Sequence, residues 1–421
     1  MNKSLWIKGN FSRLLVLIVL ASFFIFQACK KDSENPETFY RYLNSFEKVS
    51  SLSQTFITTI YRFQSVQYPE ISELMENTDY NVDVYRITYK TTYRDSDIIA
   101  SGIVCIPDAP EAFPIISFQN GTNSAHENAP SVAVSNSYFT LLQSLSGNGY
   151  IVLIPDYIGF GSSEEIVHPY YHTETNNKAV VDMMYATKEL FEYYEGSAIY
   201  NETCFLMGYS QGGWATLSLL KEIESNPNID FSVMATSCGA GAYDLIQIAD
   251  EILQKDTFSG PIYLPYYIYS HQQYGSIHDP LQKFFQEPYS SDIPTLFNGE
   301  YTNSEVNEML TPVIADLMTS ELVNNYLLLE SYHELRIDLT LNSVEAWNVH
   351  SLLHFYHGNA DNTIPYNQSQ TIYNDFLSLG IDAERIRLIE MDGMDHNEGI
   401  LPWGISSIIW FNQLKSEQES F

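Results

Sequence analysis

The sequence predicts an α/β fold: a mostly parallel central sheet with helices on both faces and a helical cap inserted late in the chain. Three observations carry this expectation. From Phe113 onward, short apolar runs alternate with amphipathic stretches of helical spacing, the rhythm of a parallel sheet covered on both sides. Residues 242–348 hold helix signals without a clear buried strand, and an irregular loop of that length is implausible. The 421 residues are 45% hydrophobic and 14% aromatic, enough to bury a sizeable core and to exclude global disorder.

The N-terminus carries export signals. Lys3, Lys8 and Arg13 precede an apolar run over 14–26. That run is too short to span a bilayer comfortably and suits a signal peptide. It ends in Phe26-Gln27-Ala28-Cys29, a small residue followed by cysteine. This resembles a bacterial lipobox, in which the cysteine becomes lipidated and starts the mature chain; the alternative is an ordinary signal peptide cleaved nearby, with Cys29 incidental. The expected divisions are a lipoprotein signal peptide over 1–28, a tether over 29–50 whose polar stretch runs into a helix near residue 45, and a core over 51–241 and 349–421. Localisation is accordingly expected in the bacterial cell envelope, on a membrane through lipidated Cys29.

The formal charge is −32, and removal of three cations with the signal takes it to −35. Such a surface repels nucleic acid and anionic membrane surfaces. Cys105, Cys204 and Cys238 lie in apolar, strand-like contexts without metal-type spacing, so buried structural cysteines are expected, with a disulfide between two of them as the alternative. No metal or other cofactor is expected, and the oligomeric state is open.

Along the chain, a helix is expected near 52–63. Alternating Val82, Val84, Ile87 and Tyr89, a turn at Tyr93-Arg94-Asp95-Ser96, and an apolar stretch over 98–106 form a hairpin. Strands follow over 114–118, 150–154, 203–207 and 231–235, then over 352–356 and 386–391. Helices cover 178–194, 211–224 and about 401–415. The cap, between the sixth and seventh of these strands, carries helix signals over 245–253, 281–285 and 317–329, with a capping pair at Thr302 and Glu305.

Gly208-Tyr209-Ser210-Gln211-Gly212 is a G-x-S-x-G motif between an apolar strand and an amphipathic helix. A serine hydroxyl is a weak nucleophile and needs exposure and a base. A sharp strand-to-helix turn supplies the exposure, and glycines relieve its crowding. The base is expected to be His396 and the orienting acid Asp361, because each falls just past the C-terminal end of a later strand. His357 reads as a structural histidine in the acid loop. Asp392 and Asp395 read as turn-stabilising residues on the His396 loop. His126-Glu127 lacks the second histidine of a zinc motif.

A tetrahedral intermediate needs two aimed N–H donors. One is expected from Gln211 and the other from Gln119-Asn120-Gly121-Thr122, where Gly121 and above all Thr122 offer backbone N–H groups. The alternative for this loop is a plain Asn-Gly turn. In Pro155-Asp156-Tyr157-Ile158-Gly159-Phe160-Gly161, Asp156 reads as structural. Tyr157 lines the pocket, donates a hydroxyl or simply packs.

These segments, with His357-Gly358-x-x-Asp361 and His396, occur in the order seen in secretory lipases of the α/β-hydrolase superfamily. The resemblance covers residues 82–421. It implies an α/β-hydrolase fold and an ester hydrolase acting on a small-molecule ester or lipid, with a cap over the acyl pocket. Many relatives have His-Gly where this chain has Asn120-Gly121. The cap tyrosines and leucines (Tyr263, Tyr266, Tyr267, Tyr269, Leu327, Leu328, Leu329) are expected to shape that pocket. Two other functions stand beside this one: a peptidase on the same fold, and a non-catalytic lipoprotein binding lipid or glycan.

Overall fold

The computed structural model describes residues 41–419. The signal peptide, Cys29 and the first part of the tether lie outside the described residues. Nine strands form one sheet in the order β1-β2-β3-β5-β4-β6-β7-β8-β9. They are β1 (Leu43–Leu52), β2 (Val82–Tyr93), β3 (Ser96–Pro107), β4 (Ala112–Gln119), β5 (Ile151–Pro155), β6 (Ile199–Tyr209), β7 (Ser232–Gly239), β8 (Leu352–Gly358) and β9 (Ile386–Met391). The junctions from β1 through β3 to β5 are antiparallel, and those from β5 through β4 to β9 are parallel.

The parallel strands are apolar runs because both of their faces are covered. Ile151–Pro155 is buried throughout, and the C-terminal halves of β4 and β6 are fully buried. The β2–β3 hairpin closes at Arg94 and Asp95, whose φ values of 48° and 61° suit a tight primed turn. The three cysteines are free and buried.

Strand β1 corrects the expected tether. Residues 43–50 belong to the sheet, paired antiparallel with β2. Only Leu43 and Leu52 are fully buried in it, and two register shifts interrupt it. An edge strand held by backbone pairing carries no apolar alternation to read. The insertion therefore follows the seventh sheet strand, not the sixth.

The helices before the insertion are α1 (Gln54–Gln64), α2 (Ile71–Glu76), α3 (Ser137–Ser144), α4 (Thr173–Leu190) and α5 (Gln211–Ser225). Between β7 and β8 come α6 (Leu245–Leu253), α7 (Tyr263–Tyr274), α8 (Tyr289–Leu296), α9 (Asn303–Met309), α10 (Ile314–Leu317), α11 (Ser320–Asn325) and α12 (His333–Asn342). Last come α13 (Asn367–Ser378) and α14 (Ile400–Glu419). The single helix expected over 317–329 is broken: α10 stops at Leu317 and Thr319 caps a new helix, accepting from the Leu322 N–H. The segment expected to be helical over 281–285 is one 3₁₀ turn.

A buried polar cluster joins α7 to α12. His271 Nδ1 lies 2.7 Å from Asp338 Oδ2, and the Tyr267 hydroxyl donates to the same oxygen at 2.7 Å. The insertion is also bonded to the core. Trp214 Nε1 on α5 donates to the Asn342 carbonyl at 2.8 Å, and His271 Nε2 pairs with the Tyr170 carbonyl at 2.9 Å. Among the described residues, no helix is long and apolar enough to cross a membrane.

Candidate active site

All the parallel strands point their C-terminal ends to one edge of the sheet. The loops after β4, β6, β8 and β9 meet there, beside the switch in strand order around β4, where open α/β sheets bind ligands. Ser210 sits between β6 and α5 at φ 62° and ψ −122°. A non-glycine residue in this conformation is strained by roughly 1–3 kcal/mol, and the surroundings hold it there. The Ser210 N–H donates to the Gly239 carbonyl at 2.9 Å. A Cβ on Gly212 would lie 2.0 Å from the Gln119 carbonyl oxygen, and one on Gly208 would lie 2.3 Å from that of Gly212. The two glycines of the motif thus let β6, α5 and the loop after β4 crowd together.

The structure brings Ser210, Asp361 and His396 into one chain of hydrogen bonds. His396 Nε2 is 2.9 Å from Ser210 Oγ, and His396 Nδ1 is 2.6 Å from Asp361 Oδ2. A carboxylate can only accept, so Nδ1 carries the proton and Nε2 turns its lone pair to the serine hydroxyl. Asp361 Oδ1 accepts from the backbone N–H groups of Thr363 and Ile364, both at 2.9 Å. Burial by itself would raise the Asp361 carboxyl. Hydrogen bonds from His357, His396 and the Ile364 N–H outweigh burial and hold it well below the usual carboxylate range. Gly358 lets the two loops close up, since a Cβ there would lie 2.2 Å from the Met394 carbonyl. The Tyr209 hydroxyl donates to the His396 carbonyl at 2.8 Å and steadies that loop.

His357 is fully buried beneath Asp361. Its Nδ1 pairs with Ser369 Oγ at 2.7 Å, and its Nε2 lies 2.8 Å from the Ile364 carbonyl and 3.3 Å from Asp361 Oδ2. It holds the acid from below and does not reach the serine. Asp395 accepts from the N–H groups of Asn397 and Glu398, a local turn. Asp392 bonds Asn359.

The N–H groups of Gln211 and Gly212 open α5 and have no intrahelical acceptor by position. Gly121 passes close to Ser210: a Cβ on it would lie 4.0 Å from that of the serine. Asn120 anchors the root of its loop through Nδ2 to the Pro155 carbonyl at 2.6 Å, and the Tyr157 hydroxyl donates to the Asn120 carbonyl at 3.2 Å. Tyr157, at φ 71°, therefore braces the loop after β4. Asp156 is buried against Ser101 and Ser131 as a structural carboxylate.

His168 is a part of the site that the sequence did not reveal. Its Nδ1 pairs with the Ile158 carbonyl at 2.7 Å and its Nε2 with Gln211 Nε2 at 3.0 Å. With the proton on Nδ1, Nε2 accepts from the Gln211 amide and fixes that side chain. Burial pushes His168, His172 and His354 down to about 4. These folded values lie below the roughly 6.5 of an unfolded histidine. As pH falls from about 6.5 to about 4, the unfolded chain therefore takes up protons that the folded chain refuses, and stability drops. His168, the most buried of the three, contributes on the order of 3 kcal/mol to that loss. Thermal melts are expected to show a clearly lower midpoint at pH 4.5 than at pH 7; a midpoint constant over this range would contradict the burial argument.

An apolar pocket of about 60 Å³ opens at Ser210. Tyr170 and Tyr171 line it from the core, with Leu245, Ile248 and Ile252 of α6, Tyr263 and Tyr267 of α7, and Leu339 of α12. Of the other expected residues, Tyr266 stacks on Tyr170 at 4.4 Å and Tyr269 packs near Phe297. Leu327, Leu328 and Leu329 are 44%, 79% and 37% exposed and form no part of the pocket wall. They follow α11 and are exposed to solvent.

The nine-stranded sheet, the strained serine turn and the ordered loops define an α/β-hydrolase fold. The chain belongs to the secretory lipase family, whose model matches residues 126–396. Among solved structures it is similar to a candidate hydrolase of Legionella pneumophila, at 24% identity and a TM-score of 0.78 over 88% of this chain and 98% of that one. The rice cell wall degrading esterase LipA of Xanthomonas oryzae is 22% identical, with a TM-score of 0.75 over 89% of this chain and 98% of its own. Candida antarctica lipase A in its closed state is 15% identical, with a TM-score of 0.61 over 84% of this chain and 77% of its own. At these identities the likeness is one of fold. Among curated proteins no relative matches in sequence. Family membership supports a hydrolase acting on esters, and a secretory family fits an exported protein.

Proposed function

We propose that the protein hydrolyses carboxylic esters through an acyl-enzyme on Ser210. The observation that carries this reading is the chain from Ser210 Oγ through His396 to Asp361, at 2.9 and 2.6 Å. His396 Nε2 takes the Ser210 proton as Oγ bonds to the ester carbonyl carbon. The N–H groups of Gln211 and Thr122, with Gly121 beside them, face the developing oxyanion. The carbon–alkoxide bond then breaks, and His396 returns the proton to the departing alcohol. In the second half His396 deprotonates a water, whose oxygen attacks the acyl carbon. The Oγ–carbon bond breaks and Ser210 regains its proton.

The acyl group takes the apolar pocket, and residues 242–348 act as the cap that walls it. A pocket of about 60 Å³ favours a short acyl chain. Export and anchoring through lipidated Cys29 complete the reading, placing the site at an envelope membrane.

The test is fluorophosphonate labelling of the mature chain, followed by a nitrophenyl ester series. Labelling, with acetate to hexanoate cleaved faster than palmitate, is the expected result. A chain that neither labels nor cleaves any ester would be a binding protein on a hydrolase fold. Cleavage of aminoacyl-naphthylamides in place of esters would make it a peptidase.

A further inference from the structure

We propose that Asn303, on the helical insertion, is a positioning residue for the oxyanion hole: it fixes the loop that carries the Thr122 N–H. The proposal rests on the ester-hydrolase reading above and assigns the insertion a part in the catalytic apparatus.

Strand β4 ends at Gln119, and the next residues have no strand partner. The core holds the root of this loop at Asn120. Beyond Gly121 four bonds run to the insertion. Asn303 Nδ2 donates to the Thr122 carbonyl at 2.7 Å, and the Tyr266 hydroxyl donates to the Asn123 carbonyl at 3.0 Å. Ser124 Oγ donates to the Tyr301 carbonyl at 2.8 Å, and the His126 N–H donates to the Gly299 carbonyl at 2.8 Å. Gly299 permits that approach, because a Cβ on it would lie 2.1 Å from the His126 ring. Thr122 is also held at its side chain, 2.8 Å from the Tyr170 hydroxyl. Its carbonyl and its hydroxyl are therefore both fixed, which leaves its N–H as the group available for the oxyanion in the reading above.

The mount is rigid. Asn303 is the first residue of α9, behind a complete capping box of Thr302 and Glu305. The buried Asn303 Oδ1 has no hydrogen-bond partner among the described protein groups. The contribution of the amide thus lies in the N–H it gives to Thr122. An oxyanion donor must be aimed to within a few tenths of an ångström, and a misplacement of about 1 Å costs on the order of 100-fold in rate. A loop without strand partners takes that precision from side-chain and backbone bonds of this kind, and the Asn303 bond is the one made to Thr122's own backbone.

Three variants test this: Asn303→Ala, Asn303→Asp, which keeps the shape but not the donor, and Tyr266→Phe. Both Asn303 variants are expected to lose about 10- to 100-fold in kcat on a short nitrophenyl ester, with KM within about twofold. Affinity for an alkylboronic acid, which mimics the tetrahedral intermediate, should fall in the same proportion. Tyr266→Phe removes one hydroxyl and leaves the ring stack, so it folds; a several-fold loss in kcat with the same boronate signature is expected. Unchanged kcat in these variants overturns the proposal. So does a loss of kcat without loss of boronate affinity, because the hole would then be intact. A wild-type chain that neither cleaves esters nor labels would instead overturn the ester-hydrolase reading itself.

Discussion

Ser210→Ala is expected to lower kcat on nitrophenyl esters by about 10⁵-fold or more, with the fold unchanged. In the proposed mechanism Oγ is the atom that attacks, and the alanine keeps every other atom of the turn. The strained backbone at φ 62° is fixed by the Gly239 carbonyl and by contacts at Gly208 and Gly212, none of which involves Oγ. The melting temperature should therefore stay within a few degrees. Fluorophosphonate labelling should vanish altogether. A variant that kept a tenth of the wild-type rate would remove Ser210 from the role of nucleophile. Residual activity far below that level is compatible with the reading, since the substitution leaves in place the backbone N–H groups of Gln211 and Thr122 proposed as oxyanion donors.

Much of this site is legible in the sequence because the parallel strands that carry it are buried on both faces. Each is an apolar run with a sharp end, so Ser210, Asp361 and His396 can be placed just past the ends of β6, β8 and β9. The structure brings these three together at hydrogen-bonding distances. What the sequence hides has a common cause. Strand β1 is an edge strand, buried only at Leu43 and Leu52, and its pairing is a backbone matter. His168 meets Gln211 across 43 positions, and Asn303 meets Thr122 across 181. Contacts of that kind leave no local periodicity. The turn holding Leu327 to Leu329 misleads for the opposite reason: three consecutive leucines suggest a pocket wall, yet the break at Met318 and Thr319 sends them to the surface.

The histidines illustrate how environment sorts one residue type into separate roles. His396 has one ring nitrogen on a carboxylate and the other on a hydroxyl, which suits proton transfer. His357 faces a carbonyl, a hydroxyl and the same carboxylate, and can only brace. His168 is neutral and spends its lone pair on the Gln211 amide. A search by residue type alone would rank all three equally; the direction of each hydrogen bond separates them.

Asp361→Asn is expected to lower kcat by about 10⁴-fold, with KM little changed and the protein still folded. Oδ1 accepts from the Thr363 and Ile364 N–H groups, so the amide oxygen of asparagine must take that place. The new NH₂ then stands where Oδ2 was, facing His396 Nδ1. It donates, which forces Nδ1 to accept and moves the ring proton to Nε2. That proton points at Ser210 Oγ, and the base has lost the lone pair it needs. His357 Nε2 keeps the Ile364 carbonyl at 2.8 Å as an acceptor, so the loop survives the change. Removing the carboxylate also removes a group whose folded pKa is depressed. Its stabilisation is present above roughly pH 4 and lost as pH falls below that, so the variant should melt lower than wild type at pH 7. The two should converge in acid. Ring-proton NMR of His396 reads the tautomer directly: a proton on Nδ1 in wild type and on Nε2 in the variant is expected. A variant with the wild-type tautomer and the wild-type rate would remove Asp361 from the triad.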